Sequence, residues 1–435
     1  MRIAAVFILL AAACQHAPAH KSASVAGIQW IEDDYAAALA KARAEGKPLF
    51  VDLWATWCHS CLSMKRYVFA DAGFTPAGEA AVFASIDQER PVNRAVVAKI
   101  KVEGLPTFLL LDPKDESVMG RWLGSGSVAD LRGFVEQGAQ ELQAKGSAES
   151  PWSLARQGDA AQLKDDWTNA VQAYEAALAR MDQGDRLRPQ LLVKLASALG
   201  HLGTPAAKAR CTALGAAELA HTGNGSLAAD FASGAVGCSE NEELRARAQV
   251  LLQRLADDQG APLAADDRSD MLGTLTGWLD EEKRHDEAVA AAQRRKAVLL
   301  AAQKAAPDAE TASTFDPHLA ETLLYLGEAA QAEALLAGRE KEMPADYNPP
   351  VRLANVLLRE KKLPEAEQAI DRGLALMPDG PRKLGALGLK ARILAAAGKP
   401  QADTLRAELT LLRQLPETLR RPKLEEQLEA QLAKK

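Results

Sequence analysis

Leu49-Phe50-Val51-Asp52-Leu53-Trp54-Ala55-Thr56-Trp57-Cys58-His59-Ser60-Cys61 is the stretch that decides the fold of the N-terminal part of this chain. Its first six residues form an apolar run of strand length with one acid inside it. That is the pattern of a central strand covered on both faces of its sheet. The run leads directly into two cysteines separated by two residues, and a helical pattern resumes at Leu62. Two cysteines so spaced in the first turn of a helix can close a disulfide with little backbone movement. The first sulfur lies over unsatisfied helix N–H groups, whose partial positive charge stabilises a thiolate. A thiolate near ambient pH attacks a partner's disulfide, and the second thiol resolves the mixed disulfide. Cys58 is therefore the expected nucleophile, exposed and acidic, and Cys61 the shielded resolver.

Outward from this stretch, strand and helix patterns alternate. Trp30-Ile31 precedes an amphipathic helix from about Asp33 to Glu45, with Asp33 placed to cap it and Gly46-Lys47-Pro48 to stop it. Downstream, Val82–Asp87 reads as a strand and Val92–Ile100 as a helix. Gly104-Leu105-Pro106-Thr107 then opens a strand over Phe108–Leu111, where a proline by default marks an edge. Val118–Leu123 reads as a fourth strand and Val128 to about Gln143 as a closing helix.

Residues 25–145 resemble a thioredoxin fold, on the strength of Val51-Asp52-Leu53-Trp54-Ala55, Trp57-Cys58-His59-Ser60-Cys61 and Gly104-Leu105-Pro106-Thr107. The segment from Asp52 through Lys65-Arg66-Tyr67-Val68-Phe69 is most similar to the thioredoxin-like periplasmic domain of bacterial transmembrane disulfide reductases. The resemblance implies that Pro106 is a cis-proline facing the cysteine pair. It also implies that Asp52 is a buried carboxylate that helps move the proton of Cys61. Burial would raise its pKa, as a proton acceptor there requires. Thioredoxin pairs this acid with a lysine on the neighbouring strand; the matching position here is Phe83, which leaves Asp52 more strongly desolvated. The dipeptide His59-Ser60 replaces Gly-Pro, and a histidine cation near the sulfur would favour the thiolate.

Plainer roles stand beside these. A CxxC is also half of a zinc site, but no second CxxC or Cys/His cluster lies near it in sequence, so no metal is expected. Asp52 is either the proton acceptor or a satisfied core acid. His59 is either a tuning group or a solvated helix residue, and Trp57 either shields the sulfur or only packs.

Gly146–Pro151 has the composition of a linker, and beyond it strand patterns vanish. Val351–Leu358, the Lys361–Ala366 turn and Ala369–Leu376 give helix, turn, helix, with a stop at Pro378. Ala332 and Ala366 stand one tetratricopeptide period of 34 residues apart. Ala170, Tyr174, Ala177 and Leu178 repeat the second-helix pattern, and a looser copy lies at Ala288. Residues 152–435 thus resemble a tetratricopeptide-type solenoid, with an irregular helical domain as the alternative. No catalytic signature occurs there. His201, His221, His285 and His318 are scattered singletons expected to lie on the surface or to pack. Cys211 and Cys238 are expected to clamp two neighbouring helices as a structural disulfide, worth nominally about 3 kcal/mol in the entropic model.

The low aromatic content of 5% over 435 residues is consistent with a mostly helical chain, and the net charge of −6 argues against a nucleic-acid binder, which usually shows a basic face. Met1–Ala19 reads as an export signal. Either Ala17-Pro18-Ala19 directs cleavage, or Leu10–Cys14 acts as a loose lipobox in which Cys14 is lipidated. Both place the protein in the periplasm or envelope of a bacterium, with membrane attachment only through a lipid. The expected protein is a thiol–disulfide oxidoreductase, tipped by the resemblance toward a reductase. It needs no cofactor beyond the Cys58–Cys61 couple, and acts on a protein disulfide with a thiol electron donor. The helical repeats are expected to recruit a protein or peptide. The competing expectation is a protein-binding scaffold in which the thioredoxin fold is only structural.

Overall fold

The computed structural model describes residues 28–100, 104–144 and 149–433. The expected export signal over 1–19, Cys14 and half of the expected linker (146–148) lie outside them. The N-terminal part is a five-stranded sheet made of β1 (Trp30–Glu32), β2 (Leu49–Trp54), β3 (Val82–Asp87), β4 (Thr107–Leu111) and β5 (Val118–Leu123), in the order β1-β3-β2-β4-β5. β2 runs parallel to β3 and antiparallel to β4. Alternation along β2 sends its residues into two cores. Leu49, Val51 and Leu53 pack with Ala38, Leu39, Ala42 and Val97 on one face. Phe50 packs with Phe69, Phe83 and Phe108 on the other. Asp52, two residues after Phe50, shares that second face.

Three sequence expectations change. Trp30–Glu32 is a strand paired with β3, too short to show its period in sequence. Asp34, not Asp33, caps the helix Tyr35–Glu45, accepting from the Ala37 N–H at 2.9 Å. Asp33 instead turns the chain with φ 54° and accepts from the Asp87 N–H at 2.9 Å. Pro106 is no edge feature, because β4 lies between β2 and β5. The proline stands just before the strand, where the ladder needs no donor from it.

From Ser150, which caps Pro151–Gln162, the chain is helical. Seven helix–turn–helix pairs follow in order, with a short helix Ala309–Ser313 among them and Pro422–Ala433 after the last. In the pair Asn348–Arg359 and Leu363–Leu376, a Cβ on Gly373 would meet Val351 Cγ2 at 2.5 Å, so only glycine permits this approach. Ala332 and Ala366, one repeat apart, are both fully buried, as are Ala170, Tyr174, Ala177 and Ala288. Among the described residues no helix is long and apolar enough to cross a membrane.

The array is fastened to the sheet. Trp152 lies 5.6 Å from the Phe134 ring and fits over Gly120 of β5, where a Cβ would come within 2.8 Å of the indole. Gln190 donates to the Leu123 carbonyl at 3.3 Å, and the Ser125 hydroxyl bonds Asp267 at 2.8 Å.

Candidate active site

Cys58 is the N-cap of the short helix His59–Ser63, which continues as a π-helical turn over Met64–Val68. Its Sγ accepts from the Cys61 N–H at 3.1 Å and lies 3.6 Å from Ser60 Oγ. Cys58 and Cys61 are joined as a disulfide with Cα atoms 5.2 Å apart. In the reduced protein the same N–H group would stabilise a Cys58 thiolate. The Leu105–Pro106 peptide is cis, Pro106 is buried, and Leu105 packs against the two cysteines with Trp54 and Trp57.

Asp52 is 1% exposed. Burial pushes its carboxyl above the ordinary range, and the Lys65 charge and hydrogen bonds from Lys65 and Ser85 pull the other way less strongly. The expectation that Phe83 takes the place of the strand lysine, leaving Asp52 without a cation, is corrected by the register and by Lys65. Phe83 stands beside Phe50 in the aromatic core, and Ser85 stands beside Asp52. The missing strand lysine is replaced by Lys65 from the π-helical turn. Its Nζ lies 3.2 Å from Asp52 Oδ2, donates to Ser85 Oγ and sits 4.0 Å above the Trp54 ring. A sequence signal for it existed: Lys65 is four residues after Cys61, one helical turn along the same side.

The expectation of an exposed Cys58 is overturned. It is 4% exposed and Cys61 is 1% exposed, packed under Trp54, Trp57 and Leu105, and the helical array grips the residues that flank the pair. Tyr347 Oη is 3.0 Å from Thr56 Oγ1, and Asn348 donates to that same hydroxyl at 3.3 Å. Arg352 donates to the Trp57 carbonyl at 3.4 Å, and the Arg382 guanidinium lies 5.2 Å from the Trp57 ring centroid. On its other side Trp57 Nε1 donates to Glu89 at 3.4 Å. Trp57 therefore joins the two parts of the molecule. Arg66 adds an ion pair to Asp308 at 3.0 Å.

His59 also faces the array. Its Nδ1 is 3.0 Å from Asp266 Oδ2, and its ring centroid is 3.9 Å from that of His318. Burial works against a charge on His59. The hydrogen bond and charge of Asp266 outweigh it and hold the imidazolium above the usual histidine value. His318 is pushed down to about 2 by burial, by the neighbouring His59 and by Arg295 and Arg352. His59 is thus no solvated helix residue and His318 no isolated singleton. One ligand atom each from His59, His318 and Asp270 lies within 4.8 Å of the others. His201, by contrast, stacks on Trp167 at 3.9 Å, a packing role.

Cys211 and Cys238 meet between the helices Pro205–Glu218 and Ser226–Ser239, with Cα atoms 6.0 Å apart. Both are buried, and the Ala235 carbonyl oxygen lies 3.6 Å from each sulfur.

Residues 30–113 match a family model described as thioredoxin-like. The chain is similar to the thiol:disulfide interchange protein DsbD of Pseudoalteromonas atlantica, at 31% identity over 115 residues, 26% of this chain and 18% of that protein. It spans less than a fifth of the length of that relative. A thioredoxin from Thermus thermophilus aligns at 27% identity over 28% of this chain and 95% of its own, with a TM-score of 0.26. The C-terminal part of a TPR repeat-containing protein from Cytophaga hutchinsonii aligns at 12% identity over 67% of this chain and 94% of its own, with a TM-score of 0.29. The molecule is a thioredoxin-like domain followed by a tetratricopeptide-like helical array.

Proposed function

We propose that this chain is an exported thiol–disulfide oxidoreductase, working as a protein disulfide reductase through Cys58 and Cys61. The observation that carries this reading is the cysteine pair capped by the Cys61 N–H and set among Asp52, Lys65 and the Leu105–Pro106 turn. In the reduced form the Cys58 thiolate attacks one sulfur of a substrate disulfide. That S–S bond breaks and one substrate thiolate leaves. Cys61 gives its proton to Asp52 and attacks the Cys58 sulfur, which releases the second substrate thiolate. Two electrons pass to the substrate, and the Cys58–Cys61 disulfide remains. A thiol electron donor restores the dithiol by the reverse exchange. No cofactor beyond this couple enters the cycle.

Trp57 packs on the buried sulfurs and the helical array holds Trp57, so in this reading exchange requires that contact to open. We assign the array a recruiting role in which binding of a protein partner releases the cover. The setting is the periplasm or envelope of a bacterium, on the strength of the N-terminal export signal, with Cys14 as the lipid-bearing residue if the protein is anchored. Nucleic acid has no part in this function.

Burial of both sulfurs favours one competing function, a protein-binding scaffold whose thioredoxin-like domain is structural. The deciding experiment equilibrates the native protein with glutathione redox buffers. A potential near or below about −250 mV assigns a reductant, and one near about −120 mV an oxidant. A pair that never exchanges with the buffer leaves the scaffold. Recruitment is checked by turnover: the KM for a protein disulfide should lie below that for a small aromatic disulfide, and equal values would remove the recruiting role.

A further inference from the structure

We infer that His59, His318 and Asp270 form a divalent transition-metal site that ties the helical array to the helix bearing the cysteines. The three residues come from both sides of the contact: His59 follows Cys58 directly, Asp270 lies in Ala265–Glu281, and His318 in Asp316–Tyr325. Their ligand atoms lie within 4.8 Å of one another. A tetrahedral zinc site spaces its ligand atoms about 3.3 Å apart, a difference that small side-chain rotations close.

The surroundings have the features that hold metal ligands. Metal-bound imidazoles usually give their other nitrogen to a carboxylate, carbonyl or water, which fixes the ring. His59 Nδ1 is engaged by Asp266 at 3.0 Å, and Asp266 is 2% exposed. His318 Nδ1 is 3.1 Å from Ser269 Oγ, which Arg295 Nε holds in turn at 3.1 Å. Each ring therefore has Nε2 left for an ion, and His318 Nε2 already points to Asp270 Oδ1 at 3.3 Å. Asp270 is half-exposed and also lines a cavity of about 50 Å³ with Asp230, Asp267 and Ser233. Those carboxylates favour a cation beside Asp270. The nearby cation Arg295 is engaged by Glu321 at 3.1 Å. Two imidazoles and one carboxylate, with a position over for water, suit an ion of the Zn²⁺ class. Binding would displace the Nε2 proton of a charged His59.

The test uses the full chain with Cys58–Cys61 oxidised, so that no active-site thiolate competes. After chelator treatment, Zn²⁺ is titrated against a chromophoric chelator, and Co²⁺ is followed by its visible spectrum. One Zn²⁺ per chain is expected, weakened at least tenfold by His318→Ala and by Asp270→Asn. A Co²⁺ spectrum of low-coordinate nitrogen and oxygen ligation is expected in the unaltered chain, which keeps the test independent of whether the variants fold. Affinity no greater than that of His318→Ala, or a spectrum of hexaaqua Co²⁺, would overturn the site. Bound Zn²⁺ should also slow reduction of Cys58–Cys61 by a phosphine at least tenfold in the unaltered chain and not in His318→Ala. Equal rates with and without Zn²⁺ would overturn the tie across the contact.

Discussion

The two cysteine pairs of this protein are both buried, yet their neighbourhoods differ in every respect that governs thiol chemistry. Cys58 and Cys61 close a four-residue loop at a helix start, with an N–H on the first sulfur and Asp52 and Lys65 on the adjoining strand and turn. Cys211 and Cys238 stand 27 residues apart in two array helices, with a backbone carbonyl 3.6 Å from each sulfur. The first environment supplies a donor for a thiolate and a base for a thiol. The second supplies only a carbonyl oxygen, which gives a thiolate no donor. Burial alone does not make a cysteine inert; what matters is which polar groups are buried with it.

This contrast can be broken or sharpened by substitution. Cys58→Ser should abolish disulfide exchange, at least 1,000-fold below the unaltered chain, while Cys61→Ser should trap mixed disulfides with protein substrates. The same gel assay with Cys211→Ser should show unchanged exchange; equal trapping by Cys58→Ser and Cys61→Ser would erase the distinction of roles. Asp52→Asn should slow resolution about 100-fold at neutral pH and flatten its rise with pH, measured by stopped-flow. The folded Asp52 carboxyl titrates above its unfolded value. Asp52 therefore favours the folded state below the unfolded value and loses that contribution as pH rises through the folded one. Urea unfolding should thus find Asp52→Asn stabilised more at pH 9 than at pH 5.

Replacing Cys211 and Cys238 by serine should leave exchange rates alone and cost about 3 kcal/mol of stability if the pair is bonded, as we propose. Free thiols in the unfolded, oxidised protein would show that it is not. Lys65→Met is the mildest change. Without its cation the Asp52 carboxyl should titrate roughly one unit or more higher. The pH profile of exchange should move up by that amount, with about a tenfold loss at neutral pH.

Much of the thioredoxin-like domain is local in sequence, and that is why it is legible there. β2 announces itself by an unbroken apolar run, and the cysteines by spacing. Trp30–Glu32 escaped because three residues cannot display a period. Lys65 stands one turn beyond Cys61, but a comparison of strand positions does not reach it, since this cation comes from a helix. The cover over the sulfurs was not legible at all. His59 meets Asp266 across 207 positions, and Thr56 meets Tyr347 across 291. Those pairings depend on the curvature accumulated along successive helix pairs, which a repeat period of 34 residues does not state. For the same reason His318 looked like a stray residue until folding set it against His59.

The cover over the cysteines also has a place in time. Arg382, which lies over the Trp57 ring, comes more than 300 residues after Cys58. Ribosomes add about 5–20 residues per second, and domains fold as units from the N-terminus. During synthesis the cysteines therefore precede the residues that bury them by tens of seconds. The cysteine pair is made early and its enclosing contacts late, so a chain that stops before Ala265 carries the pair without any of the His59, Trp57 or Thr56 contacts to the array described above.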